Sequence, residues 1–138
     1  MDQNISTLIG ENAGKIWRQL FVDGPLEEPI LLEKSGLKQD ELDCAIGWLA
    51  RENKIARHDA TLNLSETNLT SKVGSDAGKI FQVLDAWGEI SLPSIMRLTQ
   101  LNRREVITAI GWLAREGKIE STVIERNGEQ RIRFWLKE

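Results

Sequence analysis

The sequence predicts a mainly α chain with small β wings, an α+β fold built as two tandem copies of one unit. Three observations carry that expectation. Ala45-Ile46-Gly47-Trp48-Leu49-Ala50-Arg51-Glu52 returns unchanged as Ala109-Ile110-Gly111-Trp112-Leu113-Ala114-Arg115-Glu116, and in both places one residue separates it from Lys-Ile. Aligned without gaps at that offset, about 20 of the 46 positions from Gly10 to Ile55 match their partners from Gly74 to Ile119. Both halves also read in the same order of helix, short extended piece, helix, long helix and hairpin. The expected division is a first unit at 1–66, a linker at 67–73 and a second unit at 74–138.

Each element has a local reason. Ala13, Ile16, Trp17, Leu20 and Phe21 recur at i, i+3, i+4, i+7 and i+8, one face of an amphipathic helix. The second copy answers with Ala77, Ile80, Phe81 and Leu84. Asn12 and Asp76 are placed to cap these helices or sit in their first turns, and Gly24 and Gly88 to end them. Glu89-Ile90-Ser91 can form a very short strand, after which Ser91 caps a brief helix that tolerates Pro93 in its first turn, with Pro29 in the matching place. A longer helix follows, roughly from Lys38 to Asn53 and from Asn102 to Gly117. Its buried face is Leu42, Ala45, Ile46, Leu49 and Ala50 in one copy and Val106, Ala109, Ile110, Leu113 and Ala114 in the other. The second hairpin turns at Asn127-Gly128 between two β-rich runs, a strong hairpin signal because both turn positions need positive φ. The first is shorter, from Ile55 to His58 and Thr61 to Leu64 around Asp59-Ala60. Polar residues from Ser65 to Lys72 read as the connection.

This order is that of a winged helix-turn-helix domain, present twice. The repeated Gly-Trp-Leu-Ala-Arg-Glu-x-Lys-Ile and the Glu11-Asn12-Ala13-Gly14-Lys15-Ile16-Trp17 opening resemble a small, functionally uncharacterised family of such domains found in bacteria and archaea. The resemblance covers both repeats. It implies the fold and brings no activity with it.

Composition narrows the function classes. No apolar run is long enough for a membrane span, and the start Met1-Asp2-Gln3-Asn4 has no secretory character. Cys44 is the only cysteine and His58 the only histidine, which excludes disulfides within the sequence, cysteine-based zinc sites and a triad built on a second histidine. The expectation is a cytoplasmic, non-enzymatic protein without cofactor or metal. The net charge of −3 conceals an asymmetry: residues 1–66 carry 7 basic and 12 acidic side chains, residues 67–138 carry 11 and 9.

Several motifs invite a sharper reading. Gly10-x-x-x-Gly14-Lys15-Ile16 and its copy Gly74-x-x-x-Gly78-Lys79-Ile80 are one residue short of a phosphate-binding loop, follow no strand and place Ile where the Mg²⁺-binding hydroxyl belongs, so they read as helix starts. Gly47 and Gly111 lie within a helix, where Gly costs about 1 kcal/mol against Ala. The repeated concession points to a helix backbone passing close, expected to be the first helix of the same repeat. Trp48 and Trp112 point away from the centre of the apolar face, either over the base of each wing or into a contact between repeats.

A helix-turn-helix reads DNA through the start of its third helix. In the second repeat that start is Asn102-Arg103-Arg104-Glu105, with Thr108 one turn on. Arg pairs bidentately with guanine and Asn with adenine, and Arg and Thr also serve phosphates. The wing adds Arg126 at its tip and Arg131 and Arg133 on one strand face with Trp135, while Ile132, Phe134 and Leu136 face the core. Asn102, Arg103, Arg104, Thr108, Arg126, Arg131 and Arg133 are therefore the candidate contacts to double-stranded DNA. The first repeat offers Lys38-Gln39-Asp40-Glu41 and Asp43 instead, whose carboxylates repel a phosphate backbone and favour their own helix dipole. The leading expectation is a DNA-binding, transcription-regulator-like protein. The competing one is a protein-binding scaffold that uses the acidic first repeat. A third makes the Trp residues or the wing strand the glue of a homodimer.

Overall fold

The computed structural model describes residues 4–138, apart from the side chains of Ile124, Glu125 and Arg126. The first half contains α1 (Ile5–Asp23), β1 (Leu26–Glu27), α2 (Glu28–Ser35), α3 (Gln39–Arg51), β2 (Ile55–His58) and β3 (Thr61–Leu64). The second repeats the order with α4 (Thr70–Trp87), β4 (Ile90–Ser91), α5 (Leu92–Thr99), α6 (Arg103–Arg115), β5 (Ile119–Arg126) and β6 (Glu129–Leu136). Each half carries a three-stranded antiparallel sheet, ordered β1-β3-β2 and β4-β6-β5. Each is a winged helix-turn-helix unit, so the expected fold is the observed one.

Local chemistry accounts for most boundaries. Asn102 accepts the Glu105 backbone N–H at 2.8 Å, and Glu105 returns the favour by accepting the Asn102 N–H at 2.9 Å, a full capping box at the start of α6. Ser91 caps α5 through the Ser94 N–H. The second wing turns where expected, with Asn127 and Gly128 at φ 54° and 79°. Their register sets Ile132 opposite Val123 and Phe134 opposite Ser121, and Phe134 is buried with Ile132 and Leu136 packed behind it.

The first helices differ from expectation. α1 begins at Ile5, capped by Asn4, whose side chain accepts the Thr7 N–H. α4 begins at Thr70, within the stretch read as a linker. Asn12 and Asp76 thus lie inside helices, and Asp76 is buried. The extra turns carry apolar residues that reach the other repeat: Ile9 is buried in the second repeat's core, with Ile5 beside it, and Leu69 packs on the first repeat's core. The remaining connection is tied down as well. Asn53 accepts the Thr67 N–H, and Asn68 both accepts from and donates to the Arg57 backbone, occupying the open edge of β2.

The two halves meet chiefly through α3 and α6, which run in the same direction because start meets start and end meets end. Their starts are joined by Arg103 and Asp40, and their ends by Arg51 with Glu116 and Arg115 with Glu52, at 3.2 and 3.1 Å. The contact is two-fold in pattern. A Cβ on Gly47 would fall 1.8 Å from the Thr108 carbonyl oxygen, and one on Gly111 would fall 2.0 Å from that of Cys44, the equivalent residue. The close neighbour of each glycine is therefore the third helix of the opposite repeat, not the first helix of its own. Two helices compete for that expectation, and the one across the interface wins because glycine sits on the face opposite its own core. Trp48 and Trp112 are also at the contact between repeats, each touched by both cores. Arg115 stacks over Trp48 and Arg51 over Trp112 at 5.7 and 5.6 Å. The opening glycines of the phosphate-loop look-alike seat these rings: Cβ atoms on Gly10 and Gly74 would lie 3.1 and 3.4 Å from Trp48 and Trp112.

Gly78 provides the contrast, because it is exposed in the middle of α4 and nothing would meet its Cβ within 4 Å. Gly78→Ala is expected to stabilise the chain by about 0.5–1 kcal/mol in urea unfolding, through backbone entropy alone. A neutral or destabilising result would mean that this turn of α4 is not a free helical surface.

Candidate nucleic-acid interface

The residues expected to contact DNA separate into two groups. The first converges. Arg103 at the start of α6 and Arg131 and Arg133 on β6 line one open groove with Ser91 and Pro93 at the start of α5. Strand pairing fixes the wing side of it, since Arg133 lies opposite Ser91 in the β4–β6 register. Two helix N-termini, those of α5 and α6, open toward three guanidiniums. The helix dipoles there favour an anion, although the caps already take the Ser94 and Glu105 N–H groups and Pro93 has none. Each arginine is half-anchored by an acceptor: Arg103 holds Asp40 bidentately at 3.1 and 2.6 Å, Arg133 donates to the Glu89 carbonyl at 3.3 Å, and Arg131 approaches Glu129 at 3.7 Å. Such partners orient the guanidiniums and leave Arg103 and Arg131 exposed and Arg133 half-buried. Trp135, two residues beyond Arg133, is half-buried. The Arg126 side chain lies outside the described residues.

The second group turns inward. Asn102, Arg104 and Thr108 line the cleft between the repeats, together with Glu28, Arg57, Lys72, Asp76 and Glu105. Arg104 bridges to Asp43 through two bonds of 3.3 and 3.2 Å and also to Glu28, which Arg57 approaches at 3.5 Å. Asp43 is 1% exposed. Burial raises its carboxyl above the usual range, and the bonds from Arg104 and Gln39 offset that only in part. Lys72 bridges Asp76 at 2.8 Å and also Glu105, whose carboxyl it holds below the ordinary range. Thr108 spends its hydroxyl on the Arg104 carbonyl at 2.7 Å, and Asn102 spends its side-chain oxygen on the cap.

The reason for the split is the helix pairing. A helix-turn-helix offers the major groove the face of its third helix opposite the core. On α6 that face is Arg104, Ile107, Thr108, Gly111 and Arg115, and every one of these meets α3 or its flanks. In the first turn of α6, Arg103 is the residue that still lines the wing groove. The acidic start of α3, read from sequence as a helix-dipole feature, supplies the counter-charges. Asp40, Asp43, Glu28 and Arg57 are the participants that sequence reasoning did not place. The signal was present in the charge imbalance of the halves, since Asp40 and Arg104 occupy equivalent positions with opposite sign.

Among the described residues, no group of three or more His, Cys, Asp or Glu side chains could hold a metal ion, and no helix is long and apolar enough to cross a membrane. Cys44 sits in the interface with its thiol donating to the Ile107 carbonyl at 3.4 Å, and burial pushes the thiol pKa far up.

A family model described as a winged helix-turn-helix domain (DUF2582) matches the chain twice, at residues 1–65 and 67–133. An uncharacterised protein of Methanocaldococcus jannaschii is 44% identical over 55 residues, which covers 38% of this chain and 77% of that protein. No solved structure matches.

Proposed function

The chain belongs to the winged helix-turn-helix family whose model matches both of its halves, and from that premise we propose that it is a DNA-associated, transcription-regulator-like protein that grips duplex phosphates through its second repeat. Domains of this kind typically bind DNA and are generally binding modules rather than catalysts. The observation that carries the proposal is the convergence of Arg103, Arg131 and Arg133 on the N-termini of α5 and α6. Arg126 at the wing tip belongs to the same footprint by its place in the hairpin. Asn102, Arg104 and Thr108, spent on capping and on the repeat contact, are left out of it. With the reading face of α6 covered, contact is to the backbone, and sequence selectivity is low.

Three arginines neutralising about three phosphates give a slope of about −2.7 in log K against log salt, or about a 40-fold loss between 50 and 200 mM. In a fluorescence titration with a labelled duplex, Arg131→Ala with Arg133→Ala is expected to abolish binding while leaving the melting temperature within a few degrees. An absence of binding at low salt and tens of micromolar protein would refute the proposal.

A protein-binding role is the second reading, favoured by Phe21, Val22 and Trp87, which are 69%, 76% and 66% exposed at the ends of α1 and α4. Partners that survive nuclease treatment and are lost on Trp87→Ser would support it over DNA binding.

A further inference from the structure

The contact between α3 and α6 fixes which repeats can pair. Its C-terminal half is indifferent to identity, because Arg51 and Arg115, Glu52 and Glu116, Gly47 and Gly111 and the two tryptophans are the same residue in both copies. Its N-terminal half is not. The observed bridges there are Arg103 to Asp40, Arg104 to Asp43 and Arg104 to Glu28.

Positions 64 apart are equivalent, so like pairings can be written out. Arg103 and Arg104 correspond to Gln39 and Asp40, while Asp40, Asp43 and Glu28 correspond to Arg104, Ile107 and Leu92. Two first repeats would bring Asp40 of one against Asp43 and Glu28 of the other. Two second repeats would bring Arg103 against Arg104 and lay a guanidinium on Ile107 and Leu92. Asp43 is 1% exposed, so a like charge set against it would be screened by neither water nor salt. Only the unlike pair is complementary.

We propose that the diverged first turns of α3 and α6 form a pairing code that admits an unlike repeat and rejects a like one. The first repeat's acidic face is an interaction surface, and its partner is the basic start of α6. Duplication left two faces with the same glycine and tryptophan frame, each of which would otherwise accept its own kind. Opposite charge at equivalent positions removes that ambiguity by penalising the wrong pairs. The code stands whether or not the chain binds nucleic acid.

The test starts from the full folded chain carrying a protease site after Glu66. The purified protein is cut, unfolded in urea, refolded by dilution and weighed by native mass spectrometry. Pairs of unlike halves are expected to dominate, with like pairs below about one in a hundred. In the neutral variant Asp40→Asn, Asp43→Asn, Arg103→Gln, Arg104→Gln, like pairs should rise toward the statistical share. Statistical pairing in the unaltered sequence, or exclusive unlike pairing in the neutral variant, would overturn the proposal. An arm on the intact chain does not depend on refolded halves. In an Asp43→Asn background, Arg104→Glu is expected to lower the melting temperature by several degrees, and adding Glu28→Arg to recover most of the loss. A steric effect gives no such recovery, so its absence would also overturn the code.

Discussion

Gly111→Ala is expected to cost about 3 kcal/mol or more, which corresponds to a fall in Tm of roughly 10 °C for a chain of this size. Intrinsic helix propensity predicts the opposite, a gain of about 1 kcal/mol. Geometry decides between them. The added Cβ would lie 2.0 Å from the Cys44 carbonyl oxygen and 2.9 Å from its Cα, and both atoms belong to a helix backbone that has no rotamer to change. A comfortable carbon–oxygen approach is about 3.3 Å, so α3 and α6 would have to part by more than an ångström. That separation would loosen the tryptophan seats at Gly10 and Gly74 and the reciprocal Arg–Trp stacks together. Gly47→Ala should behave alike, since its Cβ would lie 1.8 Å from the Thr108 oxygen. Urea unfolding of the two variants beside Gly78→Ala checks the claim. A Gly111→Ala chain as stable as the parent would mean that the two helices do not cross at the glycines.

How far the sequence could be read follows from where each signal originates. Elements within a repeat were legible because their causes are local: the Asn127-Gly128 turn, the Ser91 cap before Pro93, the 3.6-residue spacing of Val106, Ile110 and Leu113. Gly47 and Gly111 were legible in part. A helical glycine reports a close backbone, and nothing in its own neighbourhood says whose backbone it is. The starts of α1 and α4 were missed because Asn12 and Asp76 read as caps, although Ile5 and Ile9 continue the spacing of Ala13, Ile16 and Leu20; these two residues, like Leu69, pack on the core of the other repeat. The candidate site suffered most from such contact across the repeats. Arg103 and Arg104 are adjacent and equally basic in sequence, yet one opens on the wing groove and the other closes on Asp43. Adjacent helical residues point about 100° apart, and only the position of α3 turns that angle into a difference of role.

Arg104→Ala is expected to destabilise the chain by about 2–3 kcal/mol at pH 7, and by clearly less at pH 5. Removing one partner of a fully buried pair costs about 3–5 kcal/mol. The figure here is lower because Arg104 is half exposed and Gln39 keeps its bond to Asp43 at 3.0 Å. The pH dependence follows from Asp43. Its folded carboxyl already holds a proton more tightly than in the unfolded chain, where the value is about 3.9. Such a group contributes stability that is fully present below the unfolded value and is lost as pH rises through the folded one. Arg104 opposes that rise, so its removal moves the folded value further up and widens the window of loss toward neutrality. Acidification toward pH 5 shifts the buried carboxyl toward its protonated form and recovers part of the deficit. Adding Asp43→Asn to Arg104→Ala removes the charge itself and should recover stability at pH 7 while flattening the pH dependence. Urea unfolding of the three variants at pH 5 and 7 separates the outcomes. A deficit of equal size at both pH values would show that Arg104 acts through packing alone, and that Asp43 does not carry an uncompensated charge once the guanidinium is gone.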